Sequence, residues 1–189
     1  MNQNFETWQS LSRQAEASGA RLIAVSKTKS PQQILELYEY GQRDFGENKV
    51  QELTEKYDLL PKDIRWHEIG HLQTNKVKYI APFVHLIHAV DSLRLLIEIN
   101  KQAQKNNRVI PCLLQFKIAR EETKYGFNKS TAQEMLESIA FKELSHVAIQ
   151  GVMGMATFTE DTAQVRHEFQ ILHGIFLELR ENYFYGSVH

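Results

Sequence analysis

Lys27 ends the apolar run LIAVS in the segment LIAVSKTKS, residues 22–30. An amine that closes a buried strand is partly withdrawn from water; this favours its neutral form, and a neutral amine attacks carbonyl carbon. Position alone therefore admits a Schiff-base lysine beside the plainer reading of a solvated lysine opening a loop. Further along, WHEIGH (residues 66–71) contains H-E-x-x-H, which on a helix sets two histidines on a zinc ion and a glutamate on its water. His67, Glu68 and His71 would be that trio, in a zinc metallopeptidase. The mechanism needs a helix, yet Gly70 lies inside the motif and residues 63–66 read as an approaching strand. Along a strand, at about 3.3 Å per residue, positions 67 and 71 share a face but stand too far apart to chelate one ion. Met153 and Met155 suit either the lining of a ligand pocket or core filler. No dinucleotide or phosphate-loop glycine pattern occurs, and no G-x-S-x-G elbow.

The 189 residues are 42% apolar and 24% charged, the balance of a water-soluble globular chain, read as one domain over residues 1–189. With 22 basic against 23 acidic residues and a net charge of −1, there is no field to attract nucleic acid or an anionic membrane. The single cysteine, Cys112, has no partner within the chain and lies in an apolar run, so a buried thiol in a reducing cytoplasm is expected. The opening MNQNFETWQS lacks the basic-then-apolar layout of a signal peptide. Residues 79–90, the most apolar later stretch, are interrupted by Pro82, His85 and His88, so no membrane span is expected.

These side chains must be positioned by an alternation of short apolar runs and longer amphipathic stretches. Phe5, Trp8, Leu11 and Ala15 mark a first helix, residues 22–25 a strand, and Ser30-Pro31 a capped helix start, with Gly41 closing that helix. Strands follow near residues 44–46, 64–69, 86–90, 110–116 and 147–153. The helices between them carry Val50, Leu53 and Tyr57, then Leu95, Leu96 and Ile99. Thr131 and Glu134 have capping-box spacing for the next, and Asp161 can cap a last one bearing the stripe Val165, Phe169, Leu172, Phe176 and Leu179. Six strands alternating with helices predict a parallel α/β sheet, open or barrel-shaped. Function then belongs at the strands' C-terminal ends, at Lys27, Glu47 and Asn48, Gly70 and His71, Asp91, Lys117, and residues 153–157.

LIAVSKTKS, DFGENKVQE (44–52), WHEIGHLQTNKVKYI (66–80), IHAVDS (87–92), LLQFKIAREETKYGF (113–127) and GVMGMATF (151–158) together resemble, in this order, the pyridoxal 5′-phosphate homeostasis proteins of the YggS/PROSC type. The resemblance implies a TIM barrel like the N-terminal domain of alanine racemase, holding pyridoxal 5′-phosphate as an aldimine on Lys27. It implies a cofactor-binding set of Lys27, Asn48, Gly70, His71, Lys124 and Met153, with WHEIGH as a strand and loop. It implies a monomeric, non-catalytic cytoplasmic carrier or reservoir whose recipients are pyridoxal phosphate-dependent apoenzymes, a racemase-like enzyme being the alternative. Family members continue into S-x-G-M-S and R-I-G motifs that hold the phosphate, and neither motif occurs here. A full barrel usually needs about 250 residues. The expectation is an incomplete barrel of about six of the eight strands, lacking the last two strand-helix units and the phosphate-binding residues.

Overall fold

Parallel strands cannot be joined by tight turns, so a chain that alternates strand and helix patterns is expected to lay its helices across a sheet. The computed structural model, which describes residues 3–119 and 125–184, has this arrangement. Its strands are β1 (Ala24–Val25), β2 (Asp44–Glu47), β3 (Arg65–Glu68), β4 (Leu86–Val90), β5 (Ile110–Phe116) and β6 (Val147–Gly154). They lie in chain order, each parallel to the next. Helix α1 (Gln3–Ala17) precedes β1, and α2 (Pro31–Glu39), α3 (Val50–Leu59), the single turn α4 (Val77–Ile80) and α5 (Leu93–Lys105) fill successive crossovers. Both α6 (Lys129–Glu137) and α7 (Ile139–Lys142) lie between β5 and β6, and α8 (Thr162–Tyr183) follows β6. The architecture is the strand-helix order of a barrel, with β1 and β6 as open edges among the described residues.

Local chemistry sets the element ends. Ser30 and Gln33 form a reciprocal capping box ahead of Pro31, and Gly41 leaves α2 at a φ of 104°. The box expected at Thr131 and Glu134 is instead made by Asn128, whose side chain accepts from Thr131 N–H while the Thr131 hydroxyl accepts from Asn128 N–H. Asparagine is the better cap, and the helix starts three residues earlier than its apolar spacing suggests. The first strand is shorter than the run of residues 22–25 implied.

The register pairs Phe45 with Trp66 and Glu47 with Glu68, so these four share one face of the sheet, the face covered by helices. Phe45, Leu53, Trp66, Ile87, Leu96, Ile99, Ile110 and Leu114 are fully buried. Cys112 is buried among them, and burial pushes its thiol up. The stripe on α8 is only half used. Leu172 and Leu179 are buried and Phe169 is exposed, while Phe176 and Leu179 line an open recess of about 430 Å³ with Leu114, Ile149, Val152 and Phe184.

Candidate functional site

Because all six strands run the same way, their C-terminal ends form one rim. Lys27 stands two residues beyond β1, Asn48 directly after β2, Gly70 and His71 just after β3, Asp91 directly after β4, and Met153 near the end of β6. Five of the six residues expected from the sequence therefore share this rim. The sixth, Lys124, lies outside the described residues. Lys27 is exposed, and Val25 before it is 52% exposed, so the apolar run LIAVS does not wrap the amine in the water-poor sleeve that its composition suggested.

What surrounds Lys27 is a turn held from α3. Lys29 N–H donates to the Ser26 carbonyl at 3.0 Å, closing the turn around Lys27 and Thr28. The Lys56 ammonium donates to the same carbonyl at 2.8 Å and to both Glu47 Oε1 and Glu52 Oε1 at 2.7 Å. The Ser26 hydroxyl donates to Glu47 Oε1 at 2.7 Å, and Glu52 Oε1 accepts from Thr28 N–H at 2.6 Å. Lys56 and Glu47 are buried, whereas Glu52 is partly exposed. The hydrogen bond from Lys56 holds the Glu52 carboxyl below its ordinary range. Lys56 and Glu52 went unrecognised as site residues in the sequence, although Lys56 falls three residues after Leu53 on the buried side of α3, an unusual place for an ammonium.

Beside this network, Glu68 is fully buried, with Oε1 accepting from Gly70 N–H at 3.2 Å and Oε2 without a hydrogen-bond partner among the described residues. Gly70 itself is pressed against the backbone of Asn48. A Cβ at position 70 would lie 2.4 Å from Asn48 O and 2.8 Å from its Cα. No side-chain rotation relieves a clash with backbone, so a Gly70→Ala chain is expected to lose about 1–3 kcal/mol in chemical denaturation as the β2 and β3 ends separate. An unchanged denaturation midpoint would show that the two loops part freely.

His71 is oriented by neighbours on the same rim: Nδ1 lies 3.2 Å from Asp91 Oδ2, and the ring stacks on Tyr125 at 3.8 Å between centroids. His67 belongs elsewhere. Its Nε2 lies 3.0 Å from Asp44 Oδ1 and its Nδ1 2.9 Å from His88 Nε2, toward the opposite ends of the strands. The three residues of the H-E-x-x-H motif thus occupy three surroundings, Glu68 on the helix-covered face, and the zinc peptidase geometry is not formed. Asp44, His67 and His85 do bring potential ligand atoms within 4.8 Å of one another. However, Arg65 grips Asp44 through two hydrogen bonds of 2.7 and 2.5 Å, with Arg21 at 3.9 Å, and two guanidinium groups oppose a cation there. Burial pushes the Asp44 carboxyl up, but the hydrogen bonds from Arg65 and His67 outweigh it and bring it to about 2. The cluster is best described as an internal hydrogen-bond chain.

The chain has counterparts among known proteins. The family model described as the N-terminal domain of alanine racemase matches residues 2–188. The pyridoxal phosphate homeostasis protein of Aquifex aeolicus is 41% identical over 165 residues, covering 87% of this chain and 72% of the relative. PipY of Synechococcus elongatus, solved with pyridoxal phosphate bound, superposes with a TM-score of 0.86 at 32% identity, over 96% of this chain and 84% of that one. Alanine racemase from Bartonella henselae, with covalently bound pyridoxal phosphate, has a TM-score of 0.67 at 12% identity over 91% of this chain and 49% of that one, a likeness of fold alone. Among the described residues, no helix is long and apolar enough to cross a membrane.

Proposed function

The chain belongs to the alanine racemase N-terminal domain family, and within it to the pyridoxal phosphate homeostasis proteins, and on that premise we propose that it holds pyridoxal 5′-phosphate on Lys27 and keeps it available to other proteins. When bound, the cofactor supplies an aldehyde that condenses reversibly with a primary amine and releases water. Lys27 offers that amine, and its exposure leaves room for a second amine to approach and take the cofactor over. Asn48 brings a side-chain amide to the rim, and His71 brings an imidazole steadied by Asp91. Gly70 lets the β3 loop close on Asn48, and Met153 offers an apolar surface from β6. Lys124 enters this set from the family resemblance.

The observation that carries the reading is the exposed Lys27 at the rim where Asn48, Gly70 and His71 also end their strands. The donor set suits the cofactor: a primary amine for an aldehyde, with amide and imidazole groups for the polar substituents of the ring. A carrier rather than a catalyst agrees with relatives that are named for pyridoxal phosphate homeostasis, and the racemases share little sequence with this chain. Its recipients in this reading are pyridoxal phosphate-dependent apoenzymes in the cytoplasm, a reducing compartment that suits the buried free Cys112.

Adding pyridoxal 5′-phosphate to the purified protein is expected to produce a new absorbance toward the visible. Borohydride reduction followed by peptide mass spectrometry is then expected to find the phosphopyridoxyl group on Lys27. Absence of any adduct at saturating cofactor would overturn the proposal.

A further inference from the structure

Thr28 has a φ of +65°, in the left-handed region that a β-branched residue seldom enters. Such a conformation persists only where surrounding bonds impose it. The bonds that impose it here come from α3 and from the end of β2: Thr28 N–H is held by Glu52 and the Ser26 carbonyl by Lys56, both on α3, and the Ser26 hydroxyl by Glu47 of β2. Both neighbours of Lys27 are thereby anchored, while Lys27 itself is exposed. Glu47 and Lys56 sit in the core, and Glu52 is the arm that reaches from them to the turn.

We infer that Glu52 and Lys56 act as positioning residues, clamping the turn of Ser26, Lys27, Thr28 and Lys29 so that the Lys27 amine, and not that of Lys29, projects where the cofactor is received. The inference rests on Lys27 being the cofactor lysine. In physical terms, α3 supplies two opposite charges that capture a backbone N–H on one side of Lys27 and a backbone C=O on the other. Charge-assisted bonds of this kind are about twice as strong as neutral ones, enough to hold a turn that threonine disfavours. Released from Glu52, Thr28 relaxes to negative φ and the chain direction at Lys27 changes.

The test uses three forms of the protein: Glu52→Ala, Thr28→Gly, and both together. Glycine adopts positive φ without strain, so it removes the need for the clamp. Glu52→Ala is expected to weaken pyridoxal 5′-phosphate binding about tenfold and to spread the borohydride-trapped adduct from Lys27 to Lys29. The double variant should recover most of the affinity, a rescue that general destabilisation cannot mimic. Without cofactor, the Thr28 amide should exchange its hydrogen with solvent at least about tenfold faster in Glu52→Ala than in the native chain. Native affinity with the adduct confined to Lys27 in Glu52→Ala overturns the inference, as does an unchanged Thr28 exchange rate. If the native chain takes up no cofactor, the functional reading fails separately, and the exchange rates alone decide whether the clamp exists.

Discussion

A Lys27→Ala chain is expected to give no visible absorbance on addition of pyridoxal 5′-phosphate and no borohydride-stable adduct, while melting within about 2 °C of the native protein. The two halves of this expectation have different causes. Loss of the adduct follows because the covalent link needs a primary amine at the turn between β1 and α2; even if the phosphate and ring still dock, affinity should fall at least a hundredfold, about 2.7 kcal/mol. Retained stability follows because the side chain is exposed, and the turn is held by backbone groups: Lys29 N–H on the Ser26 carbonyl, and the Ser26 carbonyl and Thr28 N–H on Lys56 and Glu52 of α3. Lys27→Arg separates covalent from electrostatic roles: it keeps the positive charge, yet a guanidinium does not form the link, so it should behave like alanine in the trapping assay. An adduct of native yield on Lys29 in the alanine variant would show that the turn presents either amine, and the assignment to Lys27 would fall.

How far the sequence could lead depends on whether a residue's role is set along the chain or across it. Lys27, Asn48, Gly70 and His71 were legible because a parallel sheet collects all strand ends on one rim, wherever the strands lie in the sheet. The H-E-x-x-H motif could be discounted from its glycine and strand-like approach, and the structure places His67 and His71 in separate networks. Register was not legible. Nothing local indicates that Glu47 and Glu68 stand opposite one another, or that Lys56 reaches from α3 to the Ser26 carbonyl. The exposure of Lys27 was also hidden, since an apolar run implies burial only if the sheet is covered on the side its residues face. The stripe on α8 misled in the same way: its spacing is regular, but Leu172 and Leu179 are buried while Phe169 stays 47% exposed, because β6 is an edge strand among the described residues.

Raising the pH from about 7 to 8.5 is expected to cost the native protein about 1 kcal/mol of stability, and Glu68→Gln or Glu68→Leu should abolish that loss. Burial pushes the Glu68 carboxyl up, the Gly70 N–H bond pulls it partly back, and the facing Glu47 pushes it up again, to about 8. In the unfolded chain the same group ionises near 4.5. Between those values the folded state holds one proton more than the unfolded state, so stability falls as pH rises, by up to about 1.4 kcal/mol per unit. Histidines act in the opposite direction lower down. Burial, aided by His67 and His85, lowers His88 to about 4, so the unfolded state holds the extra proton between about 4 and 6.5, and stability there is lost on acidification. The two slopes offset each other until the histidines of the unfolded chain have lost most of their protons, which leaves the interval from about 7 to 8.5 as the one in which Glu68 dominates. Urea denaturation at a series of pH values reads the slope directly. Glutamine keeps the shape and cannot ionise, so its flat profile identifies the group irrespective of packing, while leucine should also be the more stable chain at pH 8. A slope that survives in Glu68→Gln would assign the titration to another residue. Ionised Glu68 would face Glu47 across the strand pair beside Lys56, and the most alkaline samples are therefore also those in which the turn at Lys27 is least firmly held.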